Sequence, residues 1–283
     1  DSFPFVTWLR DVAPYIHSFH GKTFVIALAG ELVTDGDLEN LIEDVAMLHA
    51  MGMRIVLVHG SRPQIQEQLA LRNIEAKYGT GQMLGYRITD AAAMECVKEA
   101  VGELRLDIEA SVISGNFITA RPVGIVEGVD FIHTGLVRKV DHESIKMSLD
   151  QNKIVLLSPL GFSPTGQAFN LAYEDVACAT ACALKADKLI FLSSVESLKN
   201  SENEPLAEMT LAQLDNYLGQ KSLEHGDLRS LLLTAAKAIR LGVGRVHLLP
   251  HNRDGALLEE LFTHDGIGTM IAASGIENLR EAN

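Results

Sequence analysis

The chain is a succession of short, almost wholly apolar runs separated by helix-length segments. The runs are Lys22–Leu28, Arg54–His59, Lys153–Leu157, Lys188–Leu192, Arg245–Leu249 and Gly268–Ala273. A strand that alternates apolar and polar residues keeps one face in water, whereas a strand apolar throughout is covered on both faces. Intervening helices supply that cover and make neighbouring strands parallel. The sequence therefore predicts an α/β fold, a three-layer αβα sandwich around a mainly parallel central sheet. Ligands of such sheets bind beyond the carboxyl ends of the strands.

The connecting segments carry helical spacing. Phe5, Trp8, Leu9, Val12, Tyr15, Ile16 and Phe19 form one apolar stripe on a helix over residues 3–19, ahead of the first strand. Further helices are expected at Gly36–Gly52, Pro63–Arg72, Ala91–Glu109, Asp175–Leu184, Leu211–Leu218, Leu228–Leu241 and Ala256–Phe262. Asp90 is placed as an N-cap. Gly115–Val140, with Gly124, Gly128 and Gly135, reads as short hairpins flanking the sheet. Ser197–Glu204 is a solvent loop, and there are no internal repeats.

Bulk properties exclude several function classes. The 283 residues carry a net charge of −13, which opposes nucleic acid and anionic membrane as partners. No run reaches the roughly 18 apolar residues of a membrane span. Asp1, Arg10, Asp11 and His17 interrupt any secretory h-region. Cys178 and Cys182 stand among alanines and read as small buried residues of a reducing, cytoplasmic environment. No metal site is expected.

Two strand ends carry turn signals. Leu28-Ala29-Gly30 and His59-Gly60-Ser61-Arg62-Pro63 stand where glycines let backbone N–H groups close on a phosphate at a helix N-terminus. Here the glycines are thinned out, no lysine stands in the first turn, and Arg62 occupies the second. Three further segments sharpen the reading: Gly85–Asp90, Asn170–Glu174 followed by Ala186–Leu192, and Gly255–Thr269. Taken in order, these resemble the amino-acid kinase family, most closely its acetylglutamate kinase branch, from about Lys22 to Ile271. More narrowly, Gly21–Phe24, Val56–Ile65, Ser114–Gly124 and Asp254–Thr269 resemble the kinase-like domain of bacterial N-acetylglutamate synthases, a family in which that domain precedes a GNAT acetyltransferase domain. The resemblance implies the carbamate kinase-like fold over 21–275, an oligomerisation helix over 1–20, and the start of a linker at 276–283.

The departures from the kinase pattern matter most. Such kinases resemble Val-Ile-Lys-x-Gly-Gly after the first strand, and the lysine neutralises the transferring phosphoryl group. The matching positions here are Ala27, Ala29 and Gly30. Gly60 remains in the second turn, where Arg62 crowds the phosphate path while offering a positive charge. Asn170 matches the active-site asparagine, and Glu174 stands where a kinase has an aspartate. The later catalytic lysine aligns near Leu231; Lys237 is almost two turns away. Arg87 matches the arginine that grips the substrate carboxylate, and its alternative role is to brace the Asp90 helix. The resemblance implies a kinase-dead cleft. The alternative is a working acetylglutamate kinase, phosphorylating N-acetyl-L-glutamate with ATP, and it needs a lysine where Ala27 stands.

Arginine-sensitive members resemble one another in an extra N-terminal helix and in a Glu-Leu-Phe-Thr-x-x-Gly-Ile-Gly-Thr segment, here Glu260–Thr269. The resemblance implies that L-arginine binds between the two as an allosteric effector. A guanidinium wants a carboxylate with two parallel acceptors and a flat ring face. Glu260 is the matching carboxylate and Tyr15 the candidate ring. The backbone at Gly266 and Gly268 can approach closely, and His247 is placed to meet the ligand's α-carboxylate. In these relatives the N-terminal helix interlaces with its twin, joining dimers into a hexamer. That implies a homo-oligomer, with Phe5, Trp8, Leu9 and Val12 facing a partner. Nothing in the chain resembles an acetyl-CoA site, so no cofactor is expected here, and acetyl-CoA is the substrate of an acetyltransferase domain elsewhere. The resemblance implies that the parent enzyme acetylates L-glutamate, the first step of arginine biosynthesis. A free-standing arginine-binding protein is a third reading. Relatives also carry longer segments at Ala110–Ser111 and near Asp227–Leu228.

Overall fold

The computed structural model describes residues 3–109, 112–194, 198–200, 202–219 and 227–274. The expected linker at 276–283, the Ala110–Ser111 junction and part of the 197–204 loop lie outside the described residues. In chain order the strands are β1 Thr23–Leu28, β2 Arg54–His59, β3 Ile113–Ser114, β4 Ile118–Pro122, β5 Ile125–Val126, β6 Val129–Asp130, β7 Gly135–Val140, β8 Val155–Leu157, β9 Leu160–Phe162, β10 Ala168–Asn170, β11 Lys188–Ser193, β12 Glu208–Thr210, β13 Arg245–Pro250 and β14 Thr269–Ala272. The helices are α1 Pro4–Phe19, α2 Glu31–Thr34, α3 Leu38–Ala50, α4 Arg62–Leu71, α5 Ala91–Ile108, α6 His142–Asp150, α7 Tyr173–Leu184, α8 Leu211–Leu218, α9 Asp227–Arg240 and α10 Ala256–Phe262.

The central sheet has eight strands in the order β12-β14-β13-β11-β1-β2-β8-β3. Its pairings are parallel except β13 with β14. Residues of one strand alternate between two cores, because successive side chains point to opposite faces. On β1, Val25 and Ala27 join the core under α6, α7, α8 and α9, while Phe24, Ile26 and Leu28 join the core under α1, α3, α5 and α10. This is the sandwich expected from unbroken apolar runs. A four-stranded sheet, β10-β9-β4-β7, and the β5–β6 hairpin flank it, as the glycine-rich segment suggested.

Differences from expectation are local. The helix expected at Gly36–Gly52 is α3, Leu38–Ala50, and a one-turn helix the sequence did not signal, α2, precedes it, the two parted where Gly36 takes φ +84°. Helix α7 starts at Tyr173, two residues early. Strands β9, β10 and β12 and helix α6 had no clear sequence signal. The strands are three residues each, and α6 is amphipathic over only nine residues, capped by Asp141 on the Ser144 amide at 3.1 Å. Asp90 caps α5 as expected, accepting from Ala93 N at 2.8 Å.

Helix α1 is not separate from the kinase-like body. Val12 is buried, and Tyr15, Ile16 and Phe19 pack on the core beneath α1. The Phe19 ring meets Phe24 at 5.5 Å and Phe262 at 6.2 Å between centroids. The front half differs: Phe3, Phe5, Trp8 and Leu9 are 45–72% exposed, with Phe5 stacked on Trp8.

Candidate functional site

Two sites lie at opposite ends of the central strands. The first is the cleft beyond the carboxyl ends of β1 and β2, about 720 Å³, lined among others by Arg62, Tyr78, Arg87, Asn170, Glu174 and Lys237. Its end nearest the two turns is filled by the protein's own groups. Arg62 makes a fork to Glu174, Nη1 to Oε1 at 2.5 Å and Nη2 to Oε2 at 3.0 Å. The guanidinium also lies 5.4 Å from the Tyr173 ring centre. A Cβ on Gly60 would stand 2.9 Å from Tyr173 Cδ1, so that glycine is needed for the ring's close approach. Gln64 donates to the Gly30 carbonyl at 2.8 Å, closing the first turn from the other side. Ala27 is fully buried in the sheet core.

The other end of the cleft is open, with its polar groups partly spent. Asn170 donates to Thr89 Oγ1 at 3.2 Å, and Thr89 meets Thr134 at 2.8 Å. Tyr86 donates to Asp175 at 2.7 Å, and burial raises the Asp175 carboxyl above its ordinary range. Arg87 stands beside Tyr78 on the cleft wall. Its guanidinium lies 5.1 Å from the Tyr78 ring centre, and Nη1 is buried without a hydrogen-bond partner. Leu231 is buried in the core, whereas Lys237, discounted on spacing, lines the cleft.

The second site lies where α1 crosses α10. Glu260, on α10, has a side chain only 5% exposed. Its Oε1 accepts from His247 Nδ1 at 2.9 Å, and its Oε2 accepts from the amides of Ile267 at 2.7 Å and Gly268 at 3.0 Å. The loop can wrap the carboxylate because of two glycines. Gly266 has φ +62°, and a Cβ there would fall 2.4 Å from Glu260 Oε2. A Cβ on Gly268 would strike the Leu248 carbonyl at 2.2 Å. Burial alone would raise Glu260, but the bonds from His247 and the two amides hold it below the usual glutamate range.

His247 is the third residue of β13, inside the sheet rather than at its end. Its Nε2 lies 2.8 Å from Lys188 Nζ, so Lys188, His247 and Glu260 form a buried chain. Burial first, and the Lys188 charge second, push His247 down to about 4. Burial likewise lowers Lys188 to about 7. The Lys188 ammonium stands 5.4 Å from the centre of the Phe19 ring, which α1 supplies. Tyr15 lies one turn before, its ring 6.3 Å from Phe19. Sequence reasoning missed Lys188. The available signal was a lysine opening a strand that otherwise reads as fully buried.

Among the described residues, Asp35, Asp37 and His251 are the group with ligand atoms close enough to hold a metal ion. No described helix is long and apolar enough to cross a membrane.

Comparison with known proteins agrees with this architecture. A protein described as an amino-acid acetyltransferase from Ralstonia nicotianae is 56% identical over 294 aligned positions, covering 98% of this chain and 64% of the relative. The chain thus spans about two-thirds of the length of such curated relatives. N-acetylglutamate synthase from Neisseria gonorrhoeae, solved with coenzyme A and L-arginine, superposes with a TM-score of 0.88 at 32% identity, over 97% of this chain and 66% of that one. Carbamate kinase from Giardia lamblia shares the fold alone, at TM-score 0.63 and 14% identity over 90% of this chain and 99% of that one. Residues 22–250, which hold both turn sequences and every strand of the central sheet but β14, match the amino acid kinase family, and the chain belongs to that family.

Proposed function

We propose that this chain is the arginine-binding, kinase-dead regulatory domain of an enzyme that transfers acetyl from acetyl-CoA to L-glutamate. The observation that carries it is the buried Glu260 carboxylate, held by His247 and the amides of Ile267 and Gly268 where α1 meets α10. A preset, buried carboxylate suits a guanidinium, which binds carboxylates through two parallel hydrogen bonds. The arginine complex of the Neisseria enzyme supports the same ligand. In this reading Glu260 receives the guanidinium, and Tyr15 supplies a ring face. His247 meets the α-carboxylate, and the Gly266–Gly268 backbone closes the site.

Two observations favour a dead cleft over a working kinase. Ala27 puts a methyl group in the core where charge neutralisation is needed, and Arg62, Tyr173 and Gln64 fill the phosphate end. Acetyl transfer belongs to a further domain of the whole protein, reached through a linker at 276–283, and acetyl-CoA is that domain's substrate. The exposed front half of α1 packs against its twin in a homo-oligomer, a hexamer in which dimers are joined through these helices. Cytoplasmic residence follows from the substrates.

The test is calorimetric titration with L-arginine beside titration with MgATP plus N-acetylglutamate. Saturable arginine binding with silence from the kinase ligands is the expected result. Heat and turnover from MgATP and N-acetylglutamate, with silence from arginine, would sink the regulatory reading.

A further inference from the structure

The Lys188–His247–Glu260 chain has a polarity that side-chain chemistry fixes. An ionised carboxylate can only accept, so His247 Nδ1 carries the proton that reaches Glu260. His247 Nε2 is then an acceptor, and the Lys188 amino group is the donor that satisfies it at 2.8 Å. All three side chains are buried, so the positive charge that balances Glu260 has few places to reside. It could stand on His247, in contact with the carboxylate, or on Lys188, one ring further away. The charged and titratable groups that face His247 are Lys188 on β11, Glu260 on α10 and Arg245 on its own strand. Lys188 also feels Asp187 beside it, and α1 brings the Phe19 ring.

Resting on the arginine reading above, we propose that Lys188 is a positioning residue of the effector site. By donating to Nε2 it keeps His247 neutral and holds the balancing charge one imidazole away from Glu260, leaving that carboxylate open to a guanidinium. An imidazolium in contact with Oε1 would neutralise Glu260 directly and compete with the ligand, since attraction falls with distance and rises in a low-dielectric site. Arg245 disfavours the imidazolium as well, so the two cations act in the same direction. Phe19 over Lys188 then ties the packing of α1 to the charge state of the site.

The test is an NMR titration of the His247 ring nitrogens in the wild-type chain, Lys188→Met and Lys188→Arg, with arginine affinity measured by calorimetry at about pH 6 and about pH 8.5. His247 should stay neutral with Nδ1 protonated across this range in the wild type and in Lys188→Arg. In Lys188→Met, where burial still acts but the neighbouring cation is gone, its titration should move up from the wild-type value of about 4 toward the ordinary histidine range. Arginine affinity of Lys188→Met should fall about tenfold or more near pH 6, and the gap should narrow near pH 8.5, where His247 is neutral in every variant and Lys188, at about 7, has lost its own charge. A purely structural defect would give the same gap at both pH values, and that result overturns the proposal. A wild-type His247 that titrates in this range, or carries its proton on Nε2, overturns it without any variant, so a poorly folded Lys188→Met leaves it open to refutation. Absence of arginine binding to the wild type counts against the effector site itself, a separate outcome from an unchanged affinity in Lys188→Met.

Discussion

Glu260→Gln keeps the size of the side chain and removes its charge. The glutamine carbonyl can still accept from Ile267 and Gly268, but its amide then faces the Nδ1–H of His247, donor to donor, so the fold should lose about 1–3 kcal/mol. Arginine affinity should fall by about 1.5–3 kcal/mol, the worth of a charge-assisted hydrogen bond. Calorimetry beside a melting curve checks both halves, and undiminished arginine affinity would remove Glu260 from the site. Tyr15→Ala should weaken arginine binding by about 1–3 kcal/mol if its ring covers a desolvated guanidinium. In the cleft, Arg62→Ala leaves Glu174, 8% exposed, without its fork. Because Arg62 itself is 41% exposed, the cost should be about 1–3 kcal/mol, below that of a fully buried pair. Arg62→Met with Glu174→Leu should recover most of it, and denaturant unfolding of the single and double variants measures the difference. At this scale the sequence was informative where a residue departed from a pattern, as at Ala27 and Arg62. It was silent where the chemistry needed partners from distant strands. Lys188 and His247 are 59 positions apart in the chain and meet only because β11 pairs with β13.

Among the elements, legibility followed burial. Strands β1, β2, β8, β11 and β13 were readable because they are covered on both faces and so are apolar throughout. Strands β9, β10 and β12, of three residues each, are too short to show a period. Helix α1 was readable as one stripe, yet the structure divides that stripe in two. Val12, Tyr15, Ile16 and Phe19 pack on the protein's own core, whereas Phe3, Phe5, Trp8 and Leu9 are 45–72% exposed. An exposed apolar stretch of that kind marks an interaction surface. Phe5→Glu with Trp8→Glu should therefore reduce the molar mass in solution while leaving the melting temperature of the body nearly unchanged. Light scattering after size exclusion reads the mass; an unaltered mass would leave the oligomer to other surfaces.

The whole molecule separates its two sites along β1. Phe24, near the start of β1, pairs with Lys188, whereas Leu28, at its end, opens the cleft turn. Four residues of strand put them roughly 13 Å apart. The proposed effector site thus stands near the amino ends of the parallel strands, not beyond their carboxyl ends where the α/β pattern places ligands. An effector there need not compete with anything in the cleft; it can act through α1 on how copies of the chain are disposed, given different affinities for two arrangements. The same architecture sets the response to acid. Burial pushes both His59 and His247 down to about 4, well below the ordinary histidine value of 6.5. Between those values the unfolded chain binds protons that the native state refuses, so the unfolded state gains as pH falls. The histidine contribution is complete above about 6.5 and is lost as pH falls toward 4, on the order of 1–3 kcal/mol for each ring. Lys188 acts at higher pH: its native value of about 7 against 10.5 makes stability fall as pH drops from 10.5 to 7 and leaves it level below. Urea midpoints should therefore decline steadily from pH 6.5 to 4.5, beyond what the carboxylates alone produce. His59→Asn, which cannot titrate, should lower stability at pH 7 but flatten that decline, because His59 gives up one buried proton site bonded to Gly60 and Ser158. A decline as steep in His59→Asn as in the wild type would place the acid sensitivity on other groups.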